Sequence, residues 1–427
     1  MIVRALYTLV LWLALPLIAL RLWLRGRREP GYRRALGERF GRHAGLRRDP
    51  DGLPAIWVHA VSVGEVRASV PLVRALQAQY PGREVVLTCM TSAGRDALDQ
   101  VYGETVRKAW LPYDYPFAVS GFLDAVRPGL CVLIETEVWI NLLAACRRRD
   151  IPVVLASARM SARSARGYAR LSALTRPAFE GLQCVCAQTE MDATRIASLG
   201  AHRVVVAGNL KFDAQPDAAQ VQAGLEFRRA LDNRPVLLLA STRDGEERLL
   251  IEALIPRLPA QALVVLVPRH PQRFDEVAGL VSAAGLTLAR RSRPVPAKGA
   301  QAPLQDAQVL LGDTMGEMAF YYAMADVAVI GGSLLPLGGQ NLIEACAQGV
   351  PVVIGPHTFN FTQATQAAVA AGAAIQVEDA PGAADVASRL LLEDARRASM
   401  SEAGRALCAG HRGATARHLG AIRPLLP

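Results

Sequence analysis

VAVIGGSLLPLGGQNLIEACAQGVPVVIGP, residues 327–356, holds the pattern on which the rest of the chain is built. An unbroken apolar run, Val327 to Ile330, enters a glycine-rich loop, a helix-like segment follows from about Asn341, and a second apolar run, Val350 to Ile354, leads out. That is the strand, turn, helix, strand unit of a parallel sheet. Gly331, Gly332, Gly338 and Gly339 leave two readings open. Either the missing Cβ atoms let backbone N–H groups cradle an anion, with the helix start at Asn341 adding its dipole, or the glycines make a sharp turn. The spacing matches neither the dinucleotide fingerprint nor the P-loop. Glu344, on the helical face of Asn341, suits an acceptor for ribose hydroxyls and the second half of a capping box, and both can hold at once.

Working outward, the same alternation recurs along most of the chain. Apolar runs at Ile56–Val61, Val85–Cys89, Leu130–Ile134, Val153–Ala156, Cys184–Ala187 and Val204–Ala207 are separated by helix-period segments such as Glu65–Tyr80. A polar passage, Asp213–Gln222, interrupts them, and runs resume at Val236–Ala240, Ala262–Val267, Val309–Leu311, Val327–Ile330 and Pro351–Ile354. The fold class expected is therefore α/β, with two Rossmann-like domains facing across a cleft at their strand C-termini. The expected boundaries are an anchor over 1–28, a first domain over 29–212, a linker over 213–233 and a second domain over 234–427 that includes a helical, Ala- and Arg-rich tail.

The length of 427 residues suits two cores, and 51% hydrophobic with 20% charged residues excludes a disordered chain. The net charge of +10 favours anionic partners. Seven cysteines, mostly inside apolar runs and without metal-ligand spacing, read as buried thiols in a reducing compartment. Ala5–Leu20 is apolar apart from Tyr7, Thr8 and Pro16, and Arg21, Arg25, Arg27, Arg28, Arg33 and Arg34 follow. With no small-x-small cleavage site before the arginines, this reads as an uncleaved anchor, spanning or interfacial, that keeps the remainder cytoplasmic.

Several strand ends carry residues able to do chemistry. Glu65, at the end of His59-Ala-Val-Ser-Val-Gly-Glu, is either a general base or a helix-start carboxylate favoured by the dipole, and His59 reads as a packed strand residue. Glu135 and Glu137 in Ile134-Glu-Thr-Glu are two carboxylates close enough to shift one another's pKa. Lys211 and Arg269 are strand-end cations that suit phosphate, and His270, followed by Pro271, reads as well as a turn residue. Gly316, in Asp313-Thr-Met-Gly-Glu-Met, leaves room for a base or ribose against backbone. Arg159, Arg163, Arg166 and Arg170 suit either an anionic headgroup or a solvated helix face. Asp49-Pro50-Asp51 spells the acid-x-acid pattern of metal-dependent sugar transferases but sits in a proline-containing loop, and no other hard-metal cluster is visible in the sequence.

WVHAVSVGE, LPYD, IETEVWIN, SARMSARSARGY, GNLKFD, LVPRHPQRF, GDTMGE, GGSLLPLGGQN and GPHTFNF, in that order from Trp57 to Phe361, resemble the Kdo (3-deoxy-D-manno-octulosonic acid) transferases of lipopolysaccharide assembly. The resemblance implies an inverting, metal-independent glycosyltransferase of the B-type fold. It would move Kdo from CMP-Kdo to a phosphorylated, acylated glucosamine disaccharide, the lipid A precursor (lipid IVA), at the cytoplasmic face of the inner membrane. No cofactor is implied, and the partners are the donor, the anionic lipid acceptor and the membrane surface, not nucleic acid. By motif, Glu65 is implied as general base, Glu135 and Lys211 as transition-state stabilisers. Pro268, Arg269, Met315, Gly316, Glu317, Asn341, Leu342, Ile343 and Glu344 are implied as the CMP pocket. Family members commonly place His before the Asn and Pro after it, where this chain has Gln340 and Leu342; Gln340 hydrogen-bonds but carries no charge. The rival readings are a UDP-sugar transferase or epimerase of the same fold, and a non-enzymatic, membrane-tethered nucleotide-binding scaffold.

Overall fold

The computed structural model describes residues 2–46, 52–232, 234–293 and 306–426; Asp49-Pro50-Asp51 lies outside them. The chain divides into two compact units, Met1–Ala214 with His411–Pro427, and Gln215–Gly410.

The first unit is built on β1 (Ala55–His59), β2 (Val85–Cys89), β3 (Arg107–Trp110), β4 (Pro128–Ile134), β5 (Val153–Ala158), β6 (Cys184–Ala187) and β7 (Val204–Val206), all parallel, in the order β3-β2-β1-β4-β5-β6-β7. Its helices are α1 (Ile2–Arg28), α2 (Val63–Gln79), α3 (Ser92–Tyr102), α4 (Pro116–Val126), α5 (Ile140–Arg148), α6 (Ala162–Arg170), α7 (Ser172–Glu180) and α8 (Glu190–Ser198). Side chains alternate between two cores, one on each face of the sheet. Trp57, Leu133 and Leu155 join Phe122 on one side, while Ile56, Val58, Val132 and Val154 join Leu72 on the other. Burial on both faces is why these strands read as continuous apolar runs instead of alternating ones.

The second unit repeats the scheme with β8 (Val236–Thr242), β9 (Leu263–Pro268), β10 (Leu288–Arg290), β11 (Val309–Leu311), β12 (Val327–Ile330), β13 (Val352–Ile354) and β14 (Ala374–Gln376). The strands are again parallel, in the order β10-β11-β9-β8-β12-β13-β14. In each sheet the winding direction reverses beside the first strand, between β1 and β4 and between β8 and β12. At such a switch point the following loops diverge and leave a crevice at the strand C-termini.

The boundaries differ from those expected at two places. Much of the expected linker is a helix, Ala218–Ala230, whose Gly224 comes so close to Phe320 that a Cβ would strike its carbonyl, and whose Phe227 ring meets Phe320 at 5.5 Å. The polar start of that segment concealed the packing face that follows. The expected second-domain tail also divides: the helix Ala414–Ile422 belongs to the first unit, where Ala414, Ala421 and Ile422 enter the core of Ile56 and Leu72. Asp213 fixes this return by accepting the N–H groups of Gly413 and Thr415 at 2.8 and 2.5 Å.

Candidate functional site

In the first unit, Glu65 follows β1 and Glu135 follows β4, so the switch point brings together two residues 70 positions apart. Glu65 sits in the first turn of α2 and folds back on its own loop, its Oε2 accepting the Val61 N–H at 2.8 Å and its Oε1 the Ser62 hydroxyl at 2.9 Å. Burial pushes its carboxyl up to about 7, and the charge of Glu135 adds to this, while the Val61 and Ser62 bonds and Lys211 pull it back. Glu137 is likewise raised to about 7 by burial and then by Glu65, although its Oε2 accepts the Trp139 indole N–H at 2.8 Å.

Glu135 behaves in the opposite way. Burial works against its charge, but Lys211, with Nζ 2.6 Å from Oε1, and Arg159 hold its pKa below the usual carboxylate range. Its backbone lies in the left-handed region at φ 63°, a conformation that costs a non-glycine residue free energy and that clusters at functional sites. Lys211 is placed by a relay from the neighbouring strands. Asn209 accepts the Lys211 N–H at 3.0 Å and donates to Gln188 at 3.1 Å, and Gln188 donates to the carbonyl of Ser157 at 2.8 Å. Ser157 (φ 51°) in turn donates its N–H to Nε2 of His418, 2.8 Å away in the returning helix. Three carboxylates and one ammonium thus share a small volume, with a proton held near neutral pH by Glu65 and Glu137. His59 lies outside this chemistry: it is fully buried, bonded through Nδ1 to Thr88, and burial lowers its pKa to about 3.

In the second unit the corresponding place is held by the loops after β8, β9 and β12. Arg243 follows β8, and its Cγ lies beside Gly332 of the loop after β12, as does the Gln340 side chain. Arg269 follows β9, its N–H donating to the Thr242 carbonyl at 2.9 Å. Burial, then Arg243, Arg269 and Arg273, lower the pKa of His270, so these four side chains form one electropositive cluster. Arg273 is neutralised by Glu247 at 2.7 Å, whereas Arg243 has no ion-pair partner among the described residues. Guanidinium groups at a switch point suit a phosphate or a carboxylate.

The glycine loop serves this cluster as scaffold. A Cβ on Gly331 would strike Ser241 and Thr242, and one on Gly338 would strike Asn360. Gly332 and Leu334 donate their N–H groups to Glu246, at 2.5 and 3.0 Å, and Gly331 and Gly339 donate to the carbonyls of Ala240 and Gly332. Three of the four glycine amides are thus committed within the fold, as a sharp turn requires. Glu246, fully buried, also accepts the Arg243 N–H at 2.9 Å and is the post that shapes the turn.

The remaining expected pocket residues lie at or after the ends of β9, β11 and β12 in different states. Pro268 closes β9 and is paired with Thr242. Met315 is exposed, and Gly316, at φ 85°, uses its carbonyl to accept from Gln220 at 3.0 Å. Glu317 is engaged by Arg291 at 2.9 Å and by the Thr314 hydroxyl. Asn341 donates its side-chain amide to Glu344 at 2.8 Å and accepts the Ile343 N–H at 3.1 Å, but the helix begins at Ile343 with Leu342 at its N-cap, so the two do not form the expected capping box. The Leu342 and Ile343 side chains are buried in the core, leaving only their backbone to meet a ligand.

Arg243, Gln188 and Glu246 are candidate site residues that sequence reasoning missed, and Glu137 is one it paired with Glu135 but did not carry into the implied site. Of the arginine group, Arg163, Arg166 and Arg170 are exposed on or beside α6, whereas Arg159 turns to Glu135. Among the described residues no group of three or more His, Cys, Asp or Glu is arranged to hold a metal ion.

Comparison with known proteins follows the same division. Residues 34–214 match the family profile described as 3-deoxy-D-manno-octulosonic-acid transferase (kdotransferase), and residues 297–407 that described as glycosyl transferases group 1. The 3-deoxy-D-manno-octulosonic acid transferase of Bordetella pertussis is 48% identical over 435 residues, and that of Haemophilus influenzae 35% identical over 431, each covering 99% of both chains. Among solved structures, UDP-GlcNAc 2-epimerase from Neisseria meningitidis bound to UDP-GlcNAc aligns over 87% of this chain and 100% of its own with a TM-score of 0.58. At 16% identity that likeness concerns the two-sheet fold alone. With near-complete coverage at 48% identity, the chain belongs to the 3-deoxy-D-manno-octulosonic acid transferase family and is a Kdo glycosyltransferase of lipopolysaccharide biosynthesis.

Proposed function

We propose that the donor is CMP-Kdo, that the acceptor is the phosphorylated, acylated glucosamine disaccharide lipid IVA, and that Glu65 is the general base of an inverting transfer. The observation that carries this reading is the environment of Glu65, a strand-end carboxylate raised to about 7 beside the Lys211–Glu135 pair. A base with a pKa near the working pH removes a proton while the bond forms. The acceptor hydroxyl oxygen attacks the anomeric carbon of Kdo as the carbon–oxygen bond to the CMP phosphate breaks. The proton passes to Glu65, and CMP leaves with the electron pair.

Negative charge grows on the departing phosphate, and the sugar carboxylate already carries one. Arg243 and Arg269 take the donor's anionic groups, and Lys211, held rigid by Glu135, supplies fixed positive potential during the transfer. We assign these cations the part a metal plays in other transferases, so EDTA should leave the rate unchanged. The exposed arginines of α6 suit an acceptor that carries phosphates, and the apolar α1 suits attachment to the cytoplasmic face of the inner membrane. The direct test is to incubate the full chain with CMP-Kdo generated in situ and lipid IVA, and to weigh the lipid by mass spectrometry. A mass gain of one or more Kdo units is expected, and an unchanged acceptor would refute the assignment.

A further inference from the structure

α1 carries two opposed stripes. Arg4, Tyr7, Leu11, Ile18, Leu22 and Gly26 are half-buried or buried along one side, whereas Leu6, Leu9, Leu13, Leu17, Leu20 and Leu24 are each 50–72% exposed along the other. Each set of spacings follows a single helical face, so one side of the helix is docked for nearly its whole length, about 40 Å.

The docked side is held at both ends by the same unit. Near the N-terminus, Tyr7 donates its hydroxyl to Oδ2 of Asp114 at 2.9 Å, and Asp114 also accepts the N–H groups of Asn141 and Leu142 at the start of α5. Tyr115 donates to the Leu11 carbonyl at 2.7 Å, and the Trp12 ring meets Tyr115 and Phe117 at 5.2 and 5.6 Å. Near the C-terminus, the Arg25 guanidinium lies over the Tyr32 ring at 5.3 Å, and Gly26 packs so closely on Arg33 that a Cβ would clash. Tyr32 stacks on Trp110 of β3, which ties that end to the sheet.

A spanning helix separates its ends by the thickness of the hydrocarbon, about 30 Å, and its sides meet lipid. Here the ends grip one folded body. That body exposes Arg147 and Arg148 beside α1, where a spanning pose would put them at hydrocarbon depth. The two arginines and Arg4 line a groove of about 430 Å³ between α1, α5 and α7, whose floor is apolar (Leu143, Leu174, Pro177) and whose lining holds no acid. Cationic rim and apolar floor match the phosphate and upper chain of an anionic phospholipid.

We infer that α1 is an in-plane helix that lies lengthwise in one leaflet with the first domain docked on its inner side, and that the Arg4–Arg147–Arg148 groove receives the headgroup of an anionic phospholipid. This rests on the membrane attachment proposed above and goes beyond it in fixing the pose. All seven native cysteines are buried, so an environment-sensitive dye can be placed at single introduced thiols, Leu6→Cys, Leu13→Cys and Leu24→Cys, in the full chain. The labelled proteins are floated with vesicles of phosphatidylethanolamine and phosphatidylglycerol that carry a nitroxide either near the headgroup or near the chain end. For a helix lying 5–10 Å into the interface, headgroup quenching dominates at all three sites and agrees within about twofold. Stronger chain-end quenching at residue 13 than at 6 and 24 means that the helix spans, and overturns the inference while leaving attachment intact. Failure to float with either lipid removes the attachment reading itself. For the groove, Arg147→Glu with Arg148→Glu should weaken flotation with phosphatidylglycerol vesicles about tenfold and leave flotation with purely zwitterionic vesicles unchanged. Equal flotation of variant and parent on anionic vesicles overturns the groove.

Discussion

Nζ of Lys211 sits 2.6 Å from Oε1 of Glu135, and this pair decides which carboxylates of the cluster stay ionised. Glu135 is held in its charged form by the ammonium, and its charge then helps to raise Glu65. Lys211 also acts on Glu65 directly, in the opposite sense. Glu135 is thus left without a proton, while burial and the neighbouring carboxylates favour protonation of Glu65 and Glu137.

Removing Lys211 should therefore change both rate and pH profile. Lys211→Met is expected to lower kcat about 10²–10³-fold, the scale for loss of one preorganised electrostatic contact. It also removes a pull that lowers Glu65 and frees Glu135 to take a proton itself, so the acidic limb of kcat/KM should shift from its parent position. A lower rate with an unmoved limb would place Lys211 outside the titrating cluster.

Glu65→Gln keeps the shape and deletes the base. Transfer should fall about 10²–10⁴-fold, while CMP affinity, a property of the second domain in this mechanism, stays within a few-fold. Stability should move the other way. With a folded pKa near 7 against an ordinary 4.5, the native state binds more protons than the unfolded one between those values, so the glutamate costs stability as pH rises through that window. The variant should gain on the parent from pH 4.5 to 7 and then level off, by on the order of 1–2 kcal/mol after allowance for partial solvent screening. Thermal melts across that range check the sign.

Arg243 has a counter-charge to offer and no ion-pair partner among the described residues. Arg243→Ala should weaken CMP by roughly 1.5–3 kcal/mol, the worth of a charge-assisted contact, in calorimetric titration. For the parent, CMP should stabilise more than UMP or UDP in a thermal shift, and a preference for UDP would undo the donor assignment.

Glu246 accepts three backbone N–H groups, those of Gly332 and Leu334 buried and that of Arg243 part-buried. Glu246→Ala leaves them unpaired and should destabilise the second domain by about 2–4 kcal/mol, the scale of stranding buried backbone donors. The expected outcome is loss of the second domain's cooperative melt with the first domain's retained.

Much of this was legible in the residues. Eleven of the fourteen strands were readable as apolar runs, most of them because both faces are buried, and their ends located Glu65, Glu135, Lys211 and Arg269. The three strands not foreseen, β3, β10 and β14, are three or four residues long and stand at or beside sheet edges, where one side can be polar, as in Arg107-Lys-Ala-Trp. Glu246 was hidden because a carboxylate at a helix start looks like a solvated charge answering the dipole; only the return of the glycine turn onto it reveals burial. Arg243 had a signal in Ser241-Thr-Arg-Asp directly after an apolar run, the same placement that identified Arg269. The destination of the tail had none, since Ala414 and Ile422 are apolar for reasons that no local pattern specifies.

The helix Ala414–Ile422, by completing the first unit, makes Gln215–Gly410 an insertion within it. A chimera that exchanges donor specificity between two such enzymes must therefore be spliced at two points, near 214 and near 411. A chain cut short at 410 would strip His418 from Ser157 and, through Gln188 and Asn209, unsettle the ammonium at position 211.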